Sequence, residues 1–358
     1  MSKLICIVDL PKPVHGMSNV NKMLVGRLGQ EVVVINSCPS FAYKYFGTGL
    51  WFPIKFFYTL FVLLKLFYIL MFFGGGALYR PINGGLGQLF DVLYIFIFRV
   101  FRFKIYIHHH SFQYINSRSS IFSFLLWLLG GQEEHITLGA EMKRKIVDVY
   151  GIDPEKVRIV SNSAFYDVCS GTDPIVNEKP VIGHMANLCV AKGLKTFVDL
   201  CIELKNSGVE FSPILAGPVH DDDAKKIVES YVDLFGGDTY LGAIYGEDKS
   251  DFFSRLDVFV FMSEYANEAE PLVLYEAAEY GAKLYSSTRG CMADVTSSLC
   301  GSAMAAPYSM EDLKESFIRD VHNGELGSSK KRSRVEKYNQ VILENHSQLE
   351  KLIQRLTS

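Results

Sequence analysis

Two carboxylates eight positions apart, Glu268 and Glu276, stand around the start of an expected helix in the stretch SEYANEAEPLVLYEAAEYG, Ser263 to Gly281. Pro271 fits a first helical position, where a missing N–H and a fixed φ cost nothing. Leu272, Val273, Ala277 and Ala278 then recur at helical spacing, and Gly281 suits the exit. The free N–H groups of such a helix start make a ready phosphate site. Eight positions at 100° each leave the two carboxylates about 80° apart, so they address different parts of one ligand. Glu270 and Glu279 read instead as a solvated acidic face. Ser263 either bonds a phosphate oxygen or caps a helix.

Two further groups carry chemistry. Lys192-Gly193 precedes an amphipathic run and places one cation at a strand-to-helix turn, as neutralising a diphosphate requires. His108, His109 and His110 follow a strand; adjacent side chains diverge, so they share one metal ion poorly, and a buried structural histidine is an alternative for each. His220-Asp221-Asp222-Asp223 stands just before a helical run, which favours a helix cap over a metal site. No metal and no cofactor are expected.

The elements that must position these groups alternate regularly. Leu256 to Met262 (LDVFVFM) is a short apolar run rich in Val and Phe, which reads as a strand buried on both faces and delivers Ser263 onward to the carboxyl edge of a sheet. Other strands are expected at Leu4 to Val8, Glu31 to Ile35, His135 to Leu138, Val157 to Val160, from Val181 and at Ser212 to Pro218, with helices between them, such as Glu141 to Tyr150. This alternation predicts an α/β protein with parallel sheets. Asp167 to Pro180, rich in Gly, Thr, Asp and Pro, is the natural linker, giving domains at 1–166 and 178–333 and a charged amphipathic helix over about 334–358.

With 358 residues, 49% hydrophobic and 13% aromatic, the chain is long enough for two cores and is not disordered. Its charge is divided: Met1 to Phe165 holds 17 Lys+Arg against 9 Asp+Glu, whereas the whole chain has net charge -3. A basic first half and an acidic second half imply different partners, and no nucleic acid is expected. Seven unpatterned cysteines read as reduced thiols of a cytoplasmic protein, and the N-terminus lacks the apolar core of a secretory signal. After the first strand only Gly16 appears where a dinucleotide fold places G-x-G-x-x-G, so a nicotinamide or flavin enzyme is not expected.

Trp51 to Phe73 (WFPIKFFYTLFVLLKLFYILMFF) is about long enough to span a bilayer but contains Pro53, Lys55 and Lys65. On a helical wheel Lys55, Tyr58, Thr59 and Lys65 gather within an arc of about 120°. The reading adopted is a helix lying in the membrane interface with its lysines among headgroups; a buried core helix and a true span are the alternatives. Asp91 to Tyr106 adds Arg99, Arg102 and Lys104 among aromatics, a second face for an anionic membrane surface.

The run Glu268 to Gly281 resembles the E-x7-E signature EGFGLVLLEAMACG of retaining glycosyltransferases of family 4, with Ala269, Glu270 and Pro271 in place of Gly-Phe-Gly. The run from Tyr240 to Ser263 is similar to the pattern "flG.v..edl..ly..aDvfv.pS", and the segment ending at Lys192-Gly193 to G-R-L-x-x-x-K-G, with Ala186 for Gly and Asn187 for Arg. His108-His109-His110-Ser111-Phe112 resembles HGGSF, and Gly16-Met17 the glycine loop at the mouth of the interdomain cleft.

The resemblance implies a GT-B fold, two Rossmann-like domains facing across a cleft, with the C-terminal helix crossing back onto the first. It implies catalytic roles for Glu268, His108 and Lys192, and donor contacts from Gly16, Met17, Asn187, Lys192, Ile244, Tyr245, Ser263, Ala269, Glu270, Leu272 and Glu276. Glu268 would face the donor sugar, Glu276 the ribose hydroxyls, Ile244 and Tyr245 the base, and His109 and His110 would line the sugar and acceptor pocket. The expected activity is retaining, metal-independent sugar transfer from a nucleotide sugar to a glycan or lipid-linked acceptor in bacterial surface polysaccharide assembly (O-antigen, capsule or lipopolysaccharide), on the inner face of the cytoplasmic membrane. The alternatives are a GT-B sugar-nucleotide epimerase or phosphorylase, and an inactive sugar-nucleotide-binding membrane scaffold.

Overall fold

The computed structural model of the protein describes residues 3–12, 16–29, 32–72, 75–169, 175 and 177–357. These form two compact units, Met1–Phe165 with Asn345–Ser358, and Tyr166–Glu344.

The first unit holds strands β1 (Lys3–Val8), β2 (Val33–Asn36), β3 (Gly76–Ile82), β4 (Lys104–His109), β5 (Glu134–Thr137) and β6 (Val157–Ile159). They pair in parallel in the order β2-β1-β3-β4-β5-β6. Helices α1 (Gly16–Arg27), α2 (Trp51–Leu70), α3 (Gln88–Val100), α4 (Gln113–Asn116), α5 (Ser120–Leu129) and α6 (Ala140–Tyr150) connect them. The chain runs outward from β1 to β2 and returns on the other side of β1, so a topological switch lies between β1 and β3. Open α/β sheets bind ligands in the crevice at such a point.

Strand β2 starts at Val33, two residues after the expected start; Glu31 itself lies outside the described residues, as does Phe73 at the end of the apolar stretch. The segment Asp91 to Tyr106 is not one face. Helix α3 stops at Val100, Arg102 turns the chain at φ 59°, and Lys104 sits on β4, 2.8 Å from Glu134.

Helix α2 corrects the expected orientation. Its buried residues are Lys55, Thr59, Val62, Leu66 and Leu70, an arc of about 80° that takes in Lys55 and Thr59 of the polar stripe, while Tyr58 is half-buried and Lys65 is exposed. Lys55 faces inward because the carboxylate of Asp9, buried at the end of β1, lies 3.3 Å away, and Tyr58 donates to the Asn36 carbonyl at 3.0 Å. The opposite face is apolar and open: Phe57, Phe61, Leu64 and Tyr68 are each more than 60% exposed. By length and composition α2 could cross a bilayer. A span would strip Lys55 from Asp9, carry its ammonium into hydrocarbon and leave the buried Asp9 without that cation.

Asp9 is the hub of a buried network. It accepts from Ser37 at 2.5 Å, Ser37 accepts from Arg80 at 2.7 Å, and Arg80 pairs with Asp91 at 2.6 Å. Burial alone would raise the Asp9 pKa, but Lys55, Arg80 and the Ser37 hydroxyl outweigh it and bring the carboxyl to about 2.

The second unit holds β7 (Val181–Met185), β8 (Ser212–Ala216), β9 (Val258–Phe261), β10 (Lys283–Ser287) and β11 (Ser302–Met304), in the parallel order β11-β10-β9-β7-β8. Its helices are α7 (Leu194–Asn206), α8 (Asp222–Phe235), α9 (Glu247–Ser254), α10 (Leu272–Glu279), α11 (Met292–Ser298), α12 (Met310–His322) and the first part of α13 (Ser328–Thr357). The continuous apolar run of β9 is buried on both faces. Phe259 and Phe261 enter one core cluster, with Leu274 and Ala277 of α10; Val258 and Val260 enter the other, with Phe197 and Leu204 of α7. Beyond Glu344, α13 groups with the first unit: Asn345 donates to Ser163 at 2.8 Å, and Tyr106 to the Arg355 carbonyl at 2.9 Å.

Lys55→Met keeps the apolar stem and leaves Asp9 buried without its nearest cation. The substitution is expected to lower the unfolding free energy by about 3 kcal/mol. Chemical denaturation measures this directly, and a change below about 1 kcal/mol would show that the pair is not what holds α2 down.

Candidate active site

In the second unit the chain runs from β7 out to β8 and returns to β9 on the other side of β7, which puts the topological switch between β7 and β9. The loop after β7 carries Asn187 and Lys192; the loop after β9 carries Ser263 to Pro271. Both therefore open on the crevice where this class of sheet binds ligands.

The loops are stitched together. Glu264 N–H donates to the Ala191 carbonyl at 2.9 Å, and Ser263 Oγ lies 3.4 Å from the same oxygen. Gly193, at φ +86°, lies so close to Met262 that a Cβ there would sit 2.8 Å from its carbonyl carbon. Only glycine combines that conformation with that approach, so the close contact fixes Lys192 against the end of β9.

Lys192 Nζ lies 2.7 Å from Glu268 Oε2, and Ser263 donates to the same oxygen at 2.8 Å. Ser263 and Glu268 are buried, whereas Lys192 is half-exposed and sits 4.7 Å from the centre of the Tyr265 ring. A carboxylate taken out of water needs such partners. The ammonium has three donors, so binding Glu268 leaves others for a further anion. Ser263 neither caps a helix nor faces solvent. Asn187 is exposed in the loop after β7.

A third loop, after β10, holds the Glu268 backbone. Cys291 N–H donates to the Ala269 carbonyl at 2.8 Å, and Gly290, at φ +58°, packs where a Cβ would meet the Glu268 carbonyl oxygen at 2.2 Å.

Pro271 is not the first helical residue: its ψ of 126° is extended, and α10 begins at Leu272. The proline ring lies outside the helix, and the first turn has no side-chain cap. Leu274 N–H bonds back to the Pro271 carbonyl at 3.3 Å, so the N–H groups at the very start of α10 are those of Leu272 and Val273. Glu270 also differs from the expected solvated face. It is buried and accepts from Tyr275 at 2.7 Å, and Ala269 beside it is buried as well. Glu279 is half-buried; burial raises its pKa, and the charges of Glu276 and Asp167 add to the effect.

Glu276 is half-buried and pairs with Lys249 of α9 at 2.6 Å. Lys249 was not legible as a site residue, because nothing local links it to a carboxylate 27 positions later. Ile244 packs partly against the core and Tyr245 is 72% exposed, both in the loop that leads into α9. Asp221 caps α8 by accepting from Ala224 N–H at 2.8 Å.

Within the first unit, Gly16 and Met17 open α1, and a Cβ on Gly16 would meet nothing within 4 Å. Residues 13–15 lie outside the described residues. The three histidines at the end of β4 divide by environment. His109 is sealed in the core, with Nδ1 2.8 Å from the Tyr114 hydroxyl and Nε2 3.0 Å from His135 Nδ1, so neither nitrogen is open to a ligand. His108 is buried with Nδ1 2.5 Å from the Tyr79 hydroxyl, and His110 is half-buried with its ring 4.0 Å from that of His108. Burial, and then the neighbouring imidazoles, hold His108 and His109 well below the ordinary histidine pKa, so both are neutral. Among the described residues no three of His, Cys, Asp or Glu converge as a metal site.

Comparison with known proteins follows this geometry. Residues 172–341 match the family described as Glycosyl transferases group 1. That match lies within the second unit. The Anabaena protein Alr3699/HepE in complex with UDP superposes with a TM-score of 0.73 at 14% identity, covering 99% of this chain and 100% of that one. A glycosyltransferase from Rickettsia africae ESF-5 gives 0.72 at 12% identity over 99% and 97%. The lipopolysaccharide outer core galactosyltransferase WaaB gives 0.68 at 14% identity over 97% and 98%. At such identities the likeness shows a shared fold, GT-B, and nothing finer. No curated protein matches the sequence. The matched segment contains every residue of the Lys192–Glu268 and Lys249–Glu276 pairs.

Gly290→Ala would force a Cβ into the Glu268 carbonyl at a strained φ. We expect a loss of at least about 2 kcal/mol in urea unfolding. Wild-type stability in that variant would show that the third loop does not fix Glu268.

Proposed function

We propose that the chain transfers a sugar from a nucleotide-sugar donor to a hydroxyl of a glycan or lipid-linked acceptor, with retention at the anomeric carbon, during assembly of a surface polysaccharide such as O-antigen, capsule or lipopolysaccharide. The observation that carries this reading is Glu268, buried and held by Lys192 and Ser263 at the switch between β7 and β9, just before the free N–H groups of α10. An anion placed on those N–H groups meets the Lys192 ammonium without that group leaving Glu268. The leaving diphosphate of a nucleotide sugar has the charge to use both. The bond from the anomeric carbon to the diphosphate oxygen breaks, the bond to the acceptor oxygen forms, and the acceptor proton passes to the departing diphosphate. The cationic side chain and helix start stabilise the charge that develops there. Glu268 lies beside the sugar and Glu276 takes the ribose hydroxyls.

Proteins of similar structure support the donor and acceptor classes: HepE was crystallised with UDP and with UDP-glucose, and WaaB is a lipopolysaccharide outer core galactosyltransferase. They add to the site geometry at the level of fold.

The same reading places the protein on the inner face of the cytoplasmic membrane. The open side of α2 is joined by exposed Phe96 and Val100 on α3, and by Phe124 and Trp127 on α5. So much exposed apolar surface is unusual in a protein that meets only water, and Arg99 and Lys65 add positive charge for anionic headgroups. Lys55 contributes none, since it is held by Asp9.

The purified protein, incubated with UDP-, GDP- and ADP-sugars in EDTA, with and without a lipid-linked acceptor extract, should release nucleoside diphosphate from one donor only when the extract is present. Glu268→Ala and Lys192→Ala should each lower that rate about 100-fold or more. Release without acceptor would favour an epimerase or hydrolytic reaction, binding without release a scaffold, and unchanged turnover in both variants would remove the site assignment. In a separate sedimentation assay, the protein should pellet with phosphatidylglycerol vesicles. Phe57→Ser with Leu64→Ser should weaken this at least about 10-fold, since each buried side chain is worth about 2 kcal/mol. Equal sedimentation of that variant would rule out α2 as the docking face.

A further inference from the structure

Lys249 is the one lysine of α9, and its partner is the second carboxylate of the pair that frames α10. A salt bridge between exposed side chains contributes little. This one differs in three respects. Both side chains are partly shielded, at 29% and 19% exposure, the contact is a 2.6 Å charge-assisted hydrogen bond, and it joins two helices rather than neighbouring turns of one. Another acid lies near Glu276: Glu279 follows one turn later on α10, and the charges of Glu276 and Asp167 both act on it. Tyr166, partly buried close to Glu276, is held well above the usual phenol pKa by loss of solvent and by that carboxylate. Lys249 is therefore the cation among these groups.

We propose that Lys249 is a positioning residue of the donor site, fixing the Glu276 carboxylate in the orientation that accepts a hydrogen bond from a ribose hydroxyl of a nucleoside diphosphate. This rests on the transferase reading above. Lys249 occupies one lone-pair site on Oε1, and Oε2 is buried on the side of Tyr166, so the second site on Oε1 is the acceptor left for a ribose hydroxyl. Without the ammonium, repulsion from Glu279 would turn the carboxylate, and the ribose would lose its acceptor. Lys249 thus acts on the sugar-bearing nucleoside through Glu276, whereas Lys192 acts on the diphosphate and Glu268.

Isothermal titration of the full chain with UDP, GDP and ADP, and then with the 2′,3′-dideoxy form of whichever binds, tests this. For Lys249→Ala the expected result is affinity for the ribonucleotide about 10-fold weaker, affinity for the dideoxy form unchanged from wild type, and recovery to within about 3-fold in Lys249→Arg. A thermal melt of each variant confirms that it is folded; Lys249→Met is the substitute should the alanine variant melt early. Equal ribonucleotide affinity in wild type and variant overturns the proposal. So does an equal loss for both nucleotides, which would put the lysine on the phosphates. Failure of the wild-type protein to bind any of the three nucleotides overturns the transferase reading, and this proposal with it.

Discussion

A carboxylate removed from water is tolerated only where its charge is answered, and much of the second unit is arranged to answer that of Glu268. The ammonium of Lys192 and the hydroxyl of Ser263 meet one oxygen of it. For Lys192 to arrive there, Gly193 must turn left-handed against the end of β9; for Glu268 to arrive, Gly290 must leave room for its carbonyl. For the two loops to be neighbours at all, β7 and β9 must be adjacent, which the return of the chain past β7 provides. Loop chemistry, glycine placement and strand order thus serve one buried charge.

The first unit answers a buried charge in the same manner, with a different consequence. Asp9, at the end of β1 and beside the switch between β1 and β3, draws Lys55 inward. That single contact decides which side of α2 is outside. With Lys55 turned in, Phe57, Phe61, Leu64 and Tyr68 are left facing out, together with Lys65. The open apolar side of α2 is the complement of an internal ion pair.

Much of this architecture was legible in the sequence because parallel strands buried on both faces read as continuous apolar runs, as β9 does in VFVF. Glycine and proline punctuation marked α10 to within one residue, and the error has a local cause: Pro271 takes an extended ψ, so it caps the helix rather than entering it. What the sequence withheld was pairing over distance. The wheel of α2 grouped its polar residues correctly but held no sign that Asp9, 46 positions earlier, would claim Lys55. Likewise, His109 looks like a site residue until His135 and Tyr114 close around it, and Glu270 looks solvated until the Tyr275 hydroxyl reaches it. In each case type and spacing were visible, while the partner that set the role came from elsewhere in the fold.

The central claim is that the crevice between β7 and β9 receives a nucleoside diphosphate at the start of α10. A crystal structure of the full chain soaked with UDP or GDP tests it most directly. The account predicts a phosphate on the N–H groups of Leu272 and Val273, with Lys192 Nζ within about 3 Å of a phosphate oxygen. A nucleotide bound elsewhere, with Lys192 still engaged only by Glu268, would contradict it.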